Sequence, residues 1–212
     1  MRINRLAYFL ILSGILIAVQ SCTSVPYVKK HQLQAGIKNM TVSTFVFESS
    51  KDSSLLKKQY LEFTKQGRVN YSVTLNATLD TIQTTEKKLF FTKQTFPDLP
   101  NYYCKTRWKT NHRERISCYS QKKHKQNEKI MFYSKDGRIL KRVDNFTSFN
   151  TYNYNYDNRE LSSITVEDRS GTLIETIHVT CLKKEKNKNC VILEQHYTVS
   201  DSLLRIYRNY NY

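Results

Sequence analysis

The chain has 212 residues, 34 Lys and Arg against 18 Asp and Glu, a net charge of +16, 15 Tyr, 10 Phe, 5 Gly and 3 Pro. That length suits one substantial domain or two small ones. So few glycines exclude a Gly-rich phosphate cradle and argue against a nucleotide-dependent enzyme. The positive field favours polyanions, but no recognition helix, zinc-finger spacing or paired RNA-binding aromatic motif directs it at nucleic acid.

The chain opens with a basic head, Arg2 and Arg5, followed by an apolar run from Leu6 to Val19. That run is shorter than the roughly 20 residues a stable spanning helix needs, so residues 1–21 read as a signal peptide. Val19-Gln20-Ser21-Cys22 closes it. A branched residue, a small residue and then cysteine resemble the lipobox of bacterial lipoproteins, with the polar Gln20 tolerated in Bacteroidota-like members. The resemblance implies a diacylglyceryl group on Cys22, cleavage before it and acylation of the new amino terminus. Several acyl chains give durable attachment. No acidic run follows Cys22, so the expected location is the outer membrane, lipid-anchored and facing the periplasm.

Residues 22–40 then form a tether, with a short helix around Lys30 to Lys38. From residue 41 to 212 an antiparallel β domain is expected, because Tyr, Phe, Thr and Val favour pleated, half-buried positions. Strands fall near 41–49, 59–64, 68–79, 86–93, 102–109, 114–120, 129–134, 138–146, 151–156, 160–167, 172–181, 190–199 and 203–211. Lys51 to Tyr60 has a short helix as its alternative. Pro97 and Pro100 interrupt any ladder, so a subdivision near 97–100 is the alternative to one continuous domain.

Turn residues punctuate these strands. Phe63 to Val69 contains Gly67-Arg68, Tyr133 to Ile139 contains Gly137-Arg138, and Tyr156 to Leu161 contains Asn158-Arg159. Gly and, less easily, Asn adopt the positive φ that tight hairpins require. Ser170-Gly171 and Asp201-Ser202 add two more turns. The recurring aromatic, Gly, Arg and aliphatic residues resemble the YD-repeat family of envelope and secreted proteins, which implies a hairpin meander of the kind that builds long β-sheets or shells and does not supply an active site. The expected fold is mainly β: an antiparallel meander of hairpins forming a large twisted sheet, open barrel or sandwich.

Apart from Cys22 there are four cysteines: Cys104, Cys118, Cys181 and Cys190. An even number in an oxidising compartment suggests disulfides, with three connectivities open. Pairing Cys104 with Cys118 and Cys181 with Cys190 ties local hairpins and is preferred. Around the second bridge, antiparallel register sets Val179 opposite Ile192, Ile177 opposite Glu194 and Glu175 opposite His196. The absence of any C-x-x-C pair argues against a metal site, and no cofactor is expected.

No Ser sits in a Gly-x-Ser-x-Gly turn, and no catalytic residue is assigned. His196 with Glu175 or Glu194 is the best acid–base pair for an alternative, a periplasmic hydrolase; a second alternative is an immunity or inhibitor lipoprotein. A non-enzymatic structural or binding role is preferred. Tyrosines beside cations suit sugars and anions, which makes Tyr152, Tyr154, Tyr156, Arg107, Trp108 and Lys109 the candidate binding surface. The expected partners are the membrane through the lipid, and an anionic envelope glycan or another envelope protein.

Overall fold

The computed structural model describes residues 25–47, 52–109, 112–120 and 122–212. The signal peptide and Cys22 lie outside the described residues. Among the described residues one short helix, α1 (Tyr27–Lys30), precedes fourteen strands: β1 (Asn39–Phe47), β2 (Ser53–Phe63), β3 (Val69–Leu75), β4 (Thr81–Lys87), β5 (Thr92–Thr95), β6 (Tyr103–Lys109) and β7 (Arg113–Tyr119) come first. They continue as β8 (Lys125–Tyr133), β9 (Ile139–Asp144), β10 (Thr151–Asp157), β11 (Glu160–Glu167), β12 (Leu173–Lys184), β13 (Cys190–Tyr197) and β14 (Ser202–Asn211).

Each strand pairs antiparallel with its sequence neighbour, and β1 pairs with β14 from Asn39↔Asn211 to Phe47↔Leu203. The sheet is therefore a closed barrel, which corrects the expected large twisted sheet, open barrel or sandwich. Hairpin signals specify only consecutive neighbours. The closing pair joins the two ends of the meander, where no turn announces it, and removes both free edges with their unpaired N–H and C=O groups.

The turns sit where permissive residues occur. Gly67, Gly137 and Gly171 have φ of +71°, +92° and +86°, and Asn158 and Asp201 also lie at positive φ. Two local readings change. Residues 53–63 are strand β2, so the alternative helix at Lys51 to Tyr60 does not form. The single strand expected at 86–93 spans the turn between β4 and β5. Residues 96–102, with Pro97 and Pro100, connect β5 to β6, which pair from Thr92↔Thr106 to Thr95↔Tyr103.

Cys104 is bonded to Cys118, its direct cross-strand partner, and Cys181 to Cys190. The register around the second bridge differs from expectation. Val179 faces Gln195, Ile177 faces Tyr197, and Cys190 faces Lys184. β12 runs on past Cys181 to Lys184, which pairs with Cys190, so the bonded cysteines are diagonal rather than opposite; the irregularities on the way put one extra residue in β12 and one in β13 and cancel.

Candidate functional site

Residues directly opposite on paired strands share a face, so one row of partners shows which side is inside. Met40, Leu61, Ser72, Thr85, Gln94, Cys104, Cys118 and Asn127 form such a row across eight successive strands from β1 to β8. Most of its members are buried, which makes it the inner face. A parallel row runs Trp108, Glu114, Met131, Arg142, Tyr152, Val166 and Glu175.

The inner face has two unlike walls. From β10 to β14 it is mainly apolar and aromatic: buried Ile164, Val166, Ile177 and Val179 pack with half-buried Tyr152, Tyr154, Leu161, Leu193 and Tyr197, and Gln195 and Arg208 are its polar members on β13 and β14. From β2 to β5 it presents Gln59, Ser72, Thr74, Gln83, Thr85 and Gln94. Inward-facing Val42, Leu193, Leu204 and Ile206 remain partly accessible.

The candidate binding residues divide between the two faces. Tyr152, Tyr154, Tyr156 and Trp108 belong to the inner face. Arg107 lies on the outside, its guanidinium 5.9 Å from the Phe91 ring centre. Lys109 ends β6, and its side chain lies outside the described residues. The inward tyrosines are fixed by polar partners: Arg142 lies 3.6 Å from the Tyr152 ring centre, and the Tyr156 hydroxyl donates to the Ile139 carbonyl at 2.7 Å. Burial, reinforced by Tyr154, pushes the Tyr156 hydroxyl up to about 12, and burial also raises Tyr154 and Tyr197.

One end of the barrel is occupied by the segment from Val25 to Lys38. Val28 packs against the turn glycine Gly67, where any Cβ would collide with it; Val25 and Lys29 lie likewise against Gly137. The Val28 amide donates to the Gly67 carbonyl at 3.3 Å, the Gln34 amide to Asn189 Oδ1 at 2.8 Å and the Lys38 amide to the Asn211 carbonyl at 2.8 Å. Below α1, Lys30 Nζ reaches Glu114 Oε2 at 2.6 Å, which also accepts from the Tyr133 hydroxyl at 2.8 Å. Ile37, Met40 and Leu61 form an apolar cluster beneath this segment, with Tyr27, Leu33 and Phe63 packed on it.

The proposed acid–base pair does not assemble. His196 is exposed and meets Asp201 Oδ1 at 3.1 Å. Glu194 pairs with Arg205 at 2.7 Å. Glu175 caps the β13–β14 turn, accepting from the Val199 amide at 3.0 Å and the Thr198 hydroxyl at 3.1 Å. His178 stands opposite His196 on the outer face, also exposed. Among the described residues no group of three or more His, Cys, Asp or Glu could hold a metal ion.

The outer face is charged on strand after strand: Lys58 and Glu62 on β2, Glu86 on β4, Lys93 on β5, Lys105 and Arg107 on β6, Arg115 on β7, Lys141 on β9 and Arg205 on β14. This is the reverse of a membrane-spanning barrel, where the lipid-facing band is apolar and each Lys or Arg at mid-depth costs about 2–4 kcal/mol. The molecule is thus a closed antiparallel barrel with a charged exterior and a half-apolar interior.

No family model matches the chain, and no curated protein matches it. Among solved structures it is similar to a LolA superfamily protein from Nitrosomonas europaea, at 10% identity and TM-score 0.43, covering 86% of this chain and 88% of that one. A proposed outer membrane lipoprotein-sorting protein domain from Vibrio parahaemolyticus gives 6% identity and TM-score 0.34, covering 83% and 86%. A DUF1329 family protein from Desulfovibrio piger gives 7% and 0.32, covering 82% and 84%.

Proposed function

We propose that the protein is a non-enzymatic binding barrel of the bacterial envelope, tethered by lipid at Cys22 to the outer membrane and facing the periplasm, whose β domain from 41 to 212 receives an apolar chain in its lumen. The observation that carries this reading is the polarity of the two faces: charges on strand after strand outside, and inside, beside Glu114, Arg142 and Arg208, the partly accessible Tyr152, Tyr154, Leu193, Tyr197, Leu204 and Ile206. Eight strands make a barrel that side chains just fill, and larger rings enclose ligand cavities or channels. A fourteen-strand ring with an apolar wall suits a hydrocarbon chain, and the polar wall opposite lets a headgroup or water share the space.

The tether orients the barrel. Only two residues separate Cys22 from Val25, a reach of about 10 Å. The end closed by α1 therefore lies against the membrane, and the opposite mouth, with the turns at 76–80, 145–150 and 168–172, points away. Three expected outcomes test the reading. The Cys22→Ser protein should leave the membrane fraction. The soluble form should show saturable enhancement of a naphthylamine probe, and Leu193→Glu, placing a charge on the apolar wall, should weaken that binding at least tenfold. An unchanged membrane fraction defeats the anchor; absence of saturable probe binding defeats the lumen.

A further inference from the structure

Outside the barrel, between β5 and β8, the sheet breaks one of its own pairing rules. Lys93 stands directly opposite Lys105, and Arg107 directly opposite Arg115. Like charges facing each other across a ladder are destabilising, and natural sequences keep such local conflicts chiefly where function requires them. The acidic residues nearby answer one member of each pair: Glu86 stands opposite Lys93 on β4, and Glu128 lies 3.7 Å from Arg115. Glu128 is buried beneath the patch and already accepts from Ser117 at 3.1 Å, Lys125 at 2.8 Å and Asn145 at 3.1 Å. Among the described residues Lys105 and Arg107 have no carboxylate partner; they lie over aromatic rings instead, Lys105 at 5.1 Å from Phe91 and 5.3 Å from Tyr103.

We infer that this face is a binding site for an acidic glycan. Lys105, Arg107, Arg115 and Lys125 border a shallow cavity of about 80 Å³ floored by Glu128, room for one carboxylate or phosphate group when a water takes about 30 Å³. Tyr103 and Tyr119 lie side by side at its edge, ring centres 5.6 Å apart and stacked, with Phe91 on the other flank. Half-exposed ring faces suit the C–H faces of sugars, and the cations suit the acidic groups those sugars carry. An anion seated between the paired cations turns their mutual repulsion into attraction. The site lies on the outer wall and uses none of the lumen residues, so it stands whether or not the lumen takes an apolar chain.

The test uses the soluble protein from residue 23 onward, titrated with polygalacturonate, neutral dextran and vesicles of phosphatidylglycerol. Polygalacturonate should bind, more weakly as salt rises, and dextran should not. Lys105→Glu with Arg107→Glu should weaken binding at least tenfold while raising the melting temperature, since each new glutamate faces a cation, Lys93 or Arg115. Tyr103→Ala should weaken binding about threefold without changing the salt dependence. The milder Lys105→Gln with Arg107→Gln should weaken binding in the same direction and serves if the glutamate variant does not fold. Equal binding of dextran, undiminished binding by both double variants, a lowered melting temperature in a folded glutamate variant, or capture by vesicles without glycan binding would each overturn the inference.

Discussion

The two sides of this barrel are held together by different means. In strands β10 to β14 the buried residues are Ile164, Val166, Ile177 and Val179, all aliphatic, with Asn189 buried in the turn between β12 and β13. From β2 to β8 they include Ser72, Thr74, Thr85, Glu114, Ser117 and Glu128, beside Leu61, Tyr133 and the Cys104–Cys118 bridge. Aliphatic burial is non-directional and stabilises in proportion to area. Buried hydroxyls and carboxylates stabilise only when partnered, and cost free energy when a partner is lost. One side therefore supplies driving force, and the other supplies a wall that needs its hydrogen bonds, its disulfide and the closure between β1 and β14 to keep its place.

The largest expected effect separates the two sides directly. Ile177 is 6% exposed and packs within the aliphatic cluster, so Ile177→Ala should destabilise by about 2–4 kcal/mol through lost transfer energy and the cavity left behind. Gln83 is half-buried on the polar wall, its amide donating to the Thr85 hydroxyl at 3.3 Å. Gln83→Ala should cost about 0.5 kcal/mol or less. Denaturant midpoints at constant slope measure both. Equal losses would show that stability is spread evenly around the ring.

How far this division was legible depends on which periodicity carries it. Gly67, Gly137, Gly171 and Asn158 mark hairpin turns because few residue types tolerate positive φ, so the antiparallel meander is visible residue by residue. Alternation likewise puts Tyr152 and Tyr154 on one face. It does not say which face is inside, because that follows from closure by Asn39–Phe47 against Leu203–Asn211, a pairing between the two ends of the meander. One clue was present: in a strand of period two, Arg107 and Lys109 point away from Trp108, so those three could not form one surface. The conflict of Lys93 with Lys105 needs the register of β5 on β6, and the Lys- and Asn-rich stretch 182–189 gave no sign that β12 runs on to Lys184, a register that sets His196 opposite His178 and away from Glu175.

Acid should sharpen the contrast further, with a smaller effect. Burial works against the charge on Glu128, but Lys125, Asn145, Arg115 and Ser117 outweigh it and hold its pKa below the ordinary value of 4.5. A carboxyl depressed on folding contributes stability that is fully present above the unfolded value and disappears as pH falls through the folded one. At pH 7 Glu128→Gln should be less stable than the parent by about 1–2 kcal/mol, the scale of hydrogen bonds to a charged acceptor. Below pH 4.5 that gap should narrow as the parent's carboxyl takes up its proton. The defect of Ile177→Ala involves no titrating group and should stay constant over the same range. Unfolding curves at pH 7 and pH 3.5 compare the two variants. A Glu128→Gln gap that does not shrink would mean that the outer network binds the neutral acid as well as the carboxylate, and that the polar side is no more acid-labile than the aliphatic one.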